Sequence, residues 1–220
     1  MTNFSAARTH MVESQIYTMG VTNDAVLDAF RTVPREDFVP DEKRGFAYND
    51  EDLTISKGRV LMEPVTHARL LQAVSPTSDD VVLEIGGATG YSAAILSSLV
   101  GRVVSVEADE ALLVKGEANW KRQSYGNITS HQGDLGQGCA AHGPYSLIFV
   151  NGSVAEISFS WIDQLAPGGR LVAVVRGASD KMGRAVLLQK SAEGAIGERV
   201  LFDAAVPYLP GFEPRNEFVF

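Results

Sequence analysis

The chain has 220 residues, 45% hydrophobic and 21% charged, enough for one substantial core or a core with a small appendage, as in an ordinary soluble globular protein. Acidic residues outnumber basic ones 27 to 19, a formal charge of -8, and no basic patch stands out beyond Lys121 and Arg122, so nucleic acid is not an expected partner. A spanning helix needs roughly 18 to 20 continuous apolar residues, and the longest runs, near 93–100 and 171–175, fall far short, which excludes a membrane protein.

Residues 1–10 hold no apolar run of the kind a secretory signal needs, and Cys139 is the only cysteine, so a reducing cytoplasm is expected. His10, His67, His131 and His142 lie far apart, with no metal-ligand spacing to another His or Cys, so no metal site is expected. Over 22–33 the apolar residues Val26, Leu27, Phe30 and Val33 recur at helical spacing, with Thr22, Asn23 or Asp24 to cap the start and Pro34 to close the end. Residues 35–58 keep no sustained period and read as an irregular covering segment. Pro64 opens a second helix whose Val65, Ala68, Leu71 and Val74 share a face, ending at Ser75-Pro76.

After Asp80 the pattern changes to short Val- and Ile-rich runs alternating with segments of helical period. Strands are predicted at 81–85, 103–107, 128–131, 147–150, 171–175, 185–189 and 200–204, with helices at 92–100, 110–123 and near 158–165. That alternation implies an α/β fold with a mostly parallel, doubly wound sheet, and the missing helices between the last strands imply an antiparallel pair at its end.

The first of these strands runs into Glu84-Ile85-Gly86-Gly87-Ala88-Thr89-Gly90-Tyr91, followed at once by a helix. Ligands of open parallel sheets sit at such strand ends, where glycine admits close backbone approach and a helix start offers free N–H groups. A dinucleotide fingerprint fails at Ala88 and Tyr91, and a P-loop fails for want of a lysine. Acid-x-Gly-x-x-x-Gly remains, the turn of S-adenosylmethionine-dependent methyltransferases, matched by Glu84, Gly86 and Gly90, with Gly87, Ala88 and Thr89 between them. Glu107 closes the second strand 21 positions after Gly86, beside Ala108, where a carboxylate accepts both ribose hydroxyls. Asp134, followed by Leu135, ends the third strand, a place from which an adenine amino group is within reach; a simple turn aspartate is the other reading. Asn151 ends the fourth strand on the same rim, as a contact to cofactor or acceptor or as a plain Asn-Gly turn.

Together these residues resemble the protein-L-isoaspartate O-methyltransferase family over most of the chain. The resemblance is carried by Val33-Pro34-Arg35-Glu36-Asp37-Phe38-Val39-Pro40, by Ala47-Tyr48-Asn49-Asp50, by Val82-Leu83-Glu84-Ile85-Gly86 with Thr89-Gly90-Tyr91, and by Gln164-Leu165-Ala166-Pro167-Gly168-Gly169-Arg170-Leu171. It implies a Rossmann-like domain of about seven strands over 77–220 and an N-terminal helical extension over 1–76 that covers the site. It also implies S-adenosylmethionine as donor, with S-adenosylhomocysteine as product, an altered aspartyl carboxylate in damaged protein as acceptor, and a monomer.

Family members carry an Ile-Ser-x-Pro segment whose serine lies in the active site. The matching stretch here is Leu61-Met62-Glu63-Pro64-Val65-Thr66-His67-Ala68, so Met62 stands for the serine and Glu63 sets a carboxylate beside it. Met62, Glu63 and His67 are therefore the expected acceptor-side residues, with Thr66 and Ser56 as hydroxyls able to replace the serine, and His67 has a packing role as its other reading. An inward Glu63 about 4 Å from an anionic acceptor would repel it by roughly 4 kcal/mol at an effective dielectric near 20. An outward one sits favourably at a helix N-terminus. Ala88 and Leu135 stand where the family usually has glycine, and Gly87 supplies some of the backbone freedom Ala88 removes. Two other functions remain open: transfer to a different acceptor, such as a cationic amine drawn by Glu63, and a binding or regulatory protein that keeps the fold without transferring methyl groups.

Overall fold

The computed structural model describes residues 3–214. All seven expected strands form and join one sheet: β3 (Val81–Ile85), β4 (Arg102–Glu107), β5 (Ile128–Gln132), β6 (Tyr145–Val154), β7 (Leu165–Val175), β8 (Gly183–Lys190) and β9 (Ile196–Ala204). Their order is β5-β4-β3-β6-β7-β8-β9, parallel through β7 and antiparallel for the last two pairings. The chain builds outward from β3 to β5, then returns to lay β6 on the other side of β3. The crevice where ligands bind such sheets therefore opens at the ends of β3 and β6.

Helices α2 (Asp24–Thr32), α3 (Pro64–Val74), α4 (Tyr91–Ser97), α5 (Glu110–Gln123) and α6 (Phe159–Asp163) lie where periodicity expected them. Asn23 caps α2 by accepting the Val26 N–H at 3.2 Å, and the helix stops short of Pro34. Three boundaries need correction. Helix α6 is five residues long because Leu165 already belongs to β7, α4 ends at Ser97, and β6 runs past Val150 to Val154 with a register shift, so Asn151 lies in a strand and not in a turn.

Two elements were not anticipated. Helix α1 (Phe4–Met11) is capped by Asn3 and continues through a π turn, Val12–Ile16, and a 3-10 turn, Tyr17–Met19. The covering segment holds an antiparallel hairpin, β1 (Leu53–Ser56) with β2 (Arg59–Leu61), turning at Lys57-Gly58. Its strands are too short to show a period of two.

Alternate strand residues face opposite sides of the sheet. Val82, Val103, Leu147, Phe149 and Val172 pack with Met11, Phe30, Leu70, Leu71 and Leu96, so the N-terminal extension shares one core with that face. Leu83, Val104, Ile148, Leu171 and Ala173 form a second core with Trp161, Leu135 and Leu209 on the other face. Arg8 fastens α1 to the covering segment through Glu36 at 3.0 Å and the Tyr48 hydroxyl at 2.9 Å. The Thr89 hydroxyl, donating to the Phe38 carbonyl at 2.6 Å, fixes that segment on the glycine turn. Among the described residues, no helix is long and apolar enough to cross a membrane and no group of three or more metal-ligating side chains occurs.

Candidate active site

The turn after β3 folds over the end of β4: the Gly86 and Gly87 N–H groups both donate to the Val106 carbonyl, at 2.9 and 3.1 Å. Gly90 sits at φ 90°, and a Cβ there would lie 2.4 Å from the Trp120 indole nitrogen, whose N–H bonds the Gly90 carbonyl at 2.8 Å. Only glycine meets both demands. Ala88 adopts φ 52°, a conformation glycine holds with less strain, and its N–H donates to Glu107 Oε2 at 2.7 Å.

Glu107 ends β4 as expected, 1% exposed, and both oxygens of its carboxylate are hydrogen-bonded. Oε1 accepts from Arg59 Nη1 at 2.6 Å and from the Ala108 and Asp109 N–H groups at 2.9 and 3.0 Å, while Oε2 takes Ala88. Arg59, on β2, also donates from Nη2 to the Gly86 carbonyl at 2.9 Å. Leu209, from the segment after β9, presses on the same turn: a methyl on Gly86 would lie 2.9 Å from it. Neither Arg59 nor Leu209 was singled out in the sequence, because the partner of each lies far along the chain, 48 positions for the Arg59–Glu107 pair.

Glu84 is wholly buried beneath the turn, and burial raises its pKa. It accepts from Ser105 Oγ at 2.5 Å and from Asn151 Nδ2 at 2.7 Å, so Asn151 reaches Glu84 across the crevice. Asp134 is exposed beyond the end of β5, and its Oδ1 accepts the Gly136 N–H at 2.7 Å as the cap of a 3-10 turn. Leu135 is buried in the second core, with its carbonyl taking the Trp161 indole N–H at 2.7 Å. These two stand beyond the end of β5, two strands from β3, outside the cavity beside the glycine turn.

Met62 and His67 line that cavity with Gly86, Gly87, Ala88, Tyr91, Ser92 and Asn151. Its volume, about 20 Å³, admits about one water. His67 Nε2, Tyr91 Oη and Ser92 Oγ are buried and lack a partner in hydrogen-bonding geometry among the described residues. Burial and then the charge of Arg35 push the His67 pKa down to about 3, so the ring is neutral near pH 7. Phe30, Tyr91 and Phe149 pack around it with centroids 5.2 to 5.9 Å away.

Glu63 does not line this cavity. It precedes Pro64 at the start of α3 and accepts the Thr66 hydroxyl, while its backbone N–H donates to Asp52 Oδ1 at 2.8 Å. Both Glu63, half-buried, and Thr66, buried, are thus occupied with each other at the helix start. Burial, with Glu63 nearby, raises the Asp52 pKa to about 6 despite the Glu63 N–H and Arg35. Arg35 is fully buried and donates to the carbonyls of Ala47 at 2.7 Å, Met62 at 2.9 Å and Leu61 at 3.4 Å, fixing the chain just before α3. Its place in the Pro-Arg-Glu string was visible in the sequence; its grip on β2 was not.

Comparison with known proteins agrees with this geometry. A family model described as protein-L-isoaspartate(D-aspartate) O-methyltransferase matches residues 6–211. Protein-L-isoaspartate O-methyltransferase 1 of Rhodopseudomonas palustris is 38% identical over 96% of this chain and 86% of its own. Protein-L-isoaspartate O-methyltransferase of Desulfosudis oleivorans is 40% identical over 76% of each chain. A solved protein-L-isoaspartate O-methyltransferase superposes with a TM-score of 0.82 at 26% identity, covering 96% of this chain and 67% of that one. A Plasmodium falciparum structure described as a complex with S-adenosyl-L-homocysteine shares the fold at TM-score 0.78 and 18% identity, over 95% of this chain and 99% of that one.

Proposed function

This chain belongs to the protein-L-isoaspartate(D-aspartate) O-methyltransferase family, and from that membership we propose that it is an S-adenosylmethionine-dependent enzyme that methylates the carboxylate of altered aspartyl residues in damaged proteins. A cytoplasmic setting and a monomeric state belong to the same proposal. One observation carries it: a glycine turn leaves β3 at the topological switch point with a buried carboxylate, Glu107, directly beside it.

The donor set suits an adenosyl compound. Glu107 would accept ribose hydroxyls once Arg59 gives way, residues 86–90 offer a backbone without bulky side chains at Gly86, Gly87 and Gly90, and His67, Tyr91 and Ser92 line the adjoining cavity. Asp134, beyond the end of β5, is exposed and free to reach an adenine amino group by turning from Gly136. When bound, S-adenosylmethionine supplies an electrophilic methyl group on a cationic sulfur. An ionised acceptor needs no base to activate it, so the protein's task is to orient the two partners and exclude water. His67, neutral at physiological pH, offers one hydrogen bond at Nε2 and no charge. The Arg35 guanidinium, 4.9 Å from the Tyr91 ring centroid, sets a positive charge behind the Met62 wall that favours an anionic acceptor. Glu63, tied to Thr66, does not oppose it.

Incubating the protein with labelled S-adenosylmethionine and an isoaspartyl peptide tests the assignment, with label expected in a base-labile ester of the peptide. Folded protein that binds the donor and leaves the peptide unlabelled would overturn the isoaspartyl assignment and leave a different acceptor or a binding protein, which transfer of label to an amine acceptor would tell apart.

A further inference from the structure

We propose that Arg59 and Leu209 form a two-part plug over the nucleoside end of the site, and that an adenosyl compound gains both oxygens of Glu107 only by displacing Arg59. The inference rests on the function proposed above and concerns how that site opens. A carboxylate has about four acceptor positions. Glu107 already receives four donors: Arg59 and the N–H groups of Ala88, Ala108 and Asp109. The three N–H groups belong to the backbone of the turn and the strand end and stay in place. Three of the four, Arg59 among them, sit on Oε1 and one on Oε2, so Oε2 keeps one position open; Arg59 is the donor that is free to leave, and the second of a pair of hydroxyls reaches Oε1 only in its place.

Leu209 closes the same space from the opposite side. Methyl groups on Gly86 and on Gly152 would lie 2.9 and 2.7 Å from its side chain, so it fills the gap between the β3 turn and β6. What remains beside the turn is about 20 Å³, against roughly 300 Å³ or more for an ordinary small-molecule site. Their chain neighbours also lie close, a Cβ added at Gly58 falling 3.5 Å from the Pro210 ring.

The two halves differ in how firmly they are held. Leu209 is fixed through its backbone, its N–H donating to the Ser153 carbonyl at 2.9 Å while the Ser153 N–H donates to Pro207 at 2.9 Å. The hairpin strands pair only with each other among the described residues, and Lys57 and Gly58 at its tip are exposed. Opening therefore starts with the hairpin: Arg59 swings from Glu107 toward solvent. Because the closed form excludes the ligand, the measured affinity is the intrinsic affinity reduced by the fraction of molecules that are open.

Calorimetric titration of S-adenosylhomocysteine into the full chain at pH 7 tests this, comparing wild type with R59Q and L209A. R59Q is expected to bind at least tenfold tighter than wild type, and L209A at least threefold tighter. L209A keeps the Arg59–Glu107 pair, so it decides the matter if R59Q does not fold. Wild type that binds while both folded variants bind equally or more weakly overturns the plug and leaves the proposed function standing. No binding by any of the three overturns both.

Discussion

At the scale of single residues, two ionisable groups that feel the charge of Arg35, the buried His67 and the half-buried Asp52, give stability opposite dependences on pH. His67 has its pKa lowered from 6.5 to about 3, so its contribution to stability is complete above about pH 6.5 and is lost as pH falls toward 3. Asp52 has its pKa raised from 3.8 to about 6, so its contribution is present below about pH 3.8 and is lost as pH rises through 6. Denaturant unfolding across pH separates them. The stability of wild type relative to H67N is expected to fall by about 1.4 kcal/mol for each unit of acidification between pH 6 and 4, and wild type relative to D52N is expected to fall as pH rises through the same interval. A pH-independent difference in either series would contradict the assigned burial.

At the scale of elements, the covering segment is held to the sheet by few but well-placed side chains. Arg35 alone satisfies carbonyls at Ala47, Leu61 and Met62, joining the loop before β1, the end of β2 and the start of α3. Replacing it with leucine leaves those acceptors buried and unpaired, at about 1 to 3 kcal/mol each. R35L is therefore expected to lose about 3 kcal/mol or more in urea unfolding and to displace Met62 from the cavity wall. A loss within 0.5 kcal/mol of R35K would show that packing, and not carbonyl recognition, is the residue's contribution. The sheet strands and the longer helices were legible in the sequence because burial on both faces demands Val- and Ile-rich runs and because α2 and α3 keep a helical stripe. The β1–β2 hairpin was not legible, since strands of four and three residues around Lys57-Gly58 carry too little pattern. The glycine turn and Glu107 were legible as a motif. Arg59 was not, because its role exists only once chain closure brings β2 to the end of β4.

For the molecule as a whole, the decisive fact is that the N-terminal extension and one sheet face share a core. Met11, Phe30, Leu70 and Leu71 cover Val82, Val103 and Phe149, which residues 77–220 alone would expose to water. Burying each such side chain contributes about 1.5 to 3 kcal/mol, against a total stability of about 5 to 15 kcal/mol for a domain. A fragment comprising residues 77–220 is thus expected to show no cooperative thermal transition by circular dichroism, whereas the full chain shows one. Two separate transitions in the full chain would mean that the extension folds as a unit of its own.

The hydrogen bonds that Glu84 receives from Ser105 on β4 and Asn151 on β6 stitch three adjacent strands together directly under the crevice. A seam of that kind resists any widening of the sheet, so the floor of the pocket is rigid and accommodation of a guest molecule falls to the roof. Crystals grown with and without S-adenosylhomocysteine should then superpose along β3, β4 and β6, their displacements confined to the hairpin around Lys57–Gly58 and the side chain of Leu209.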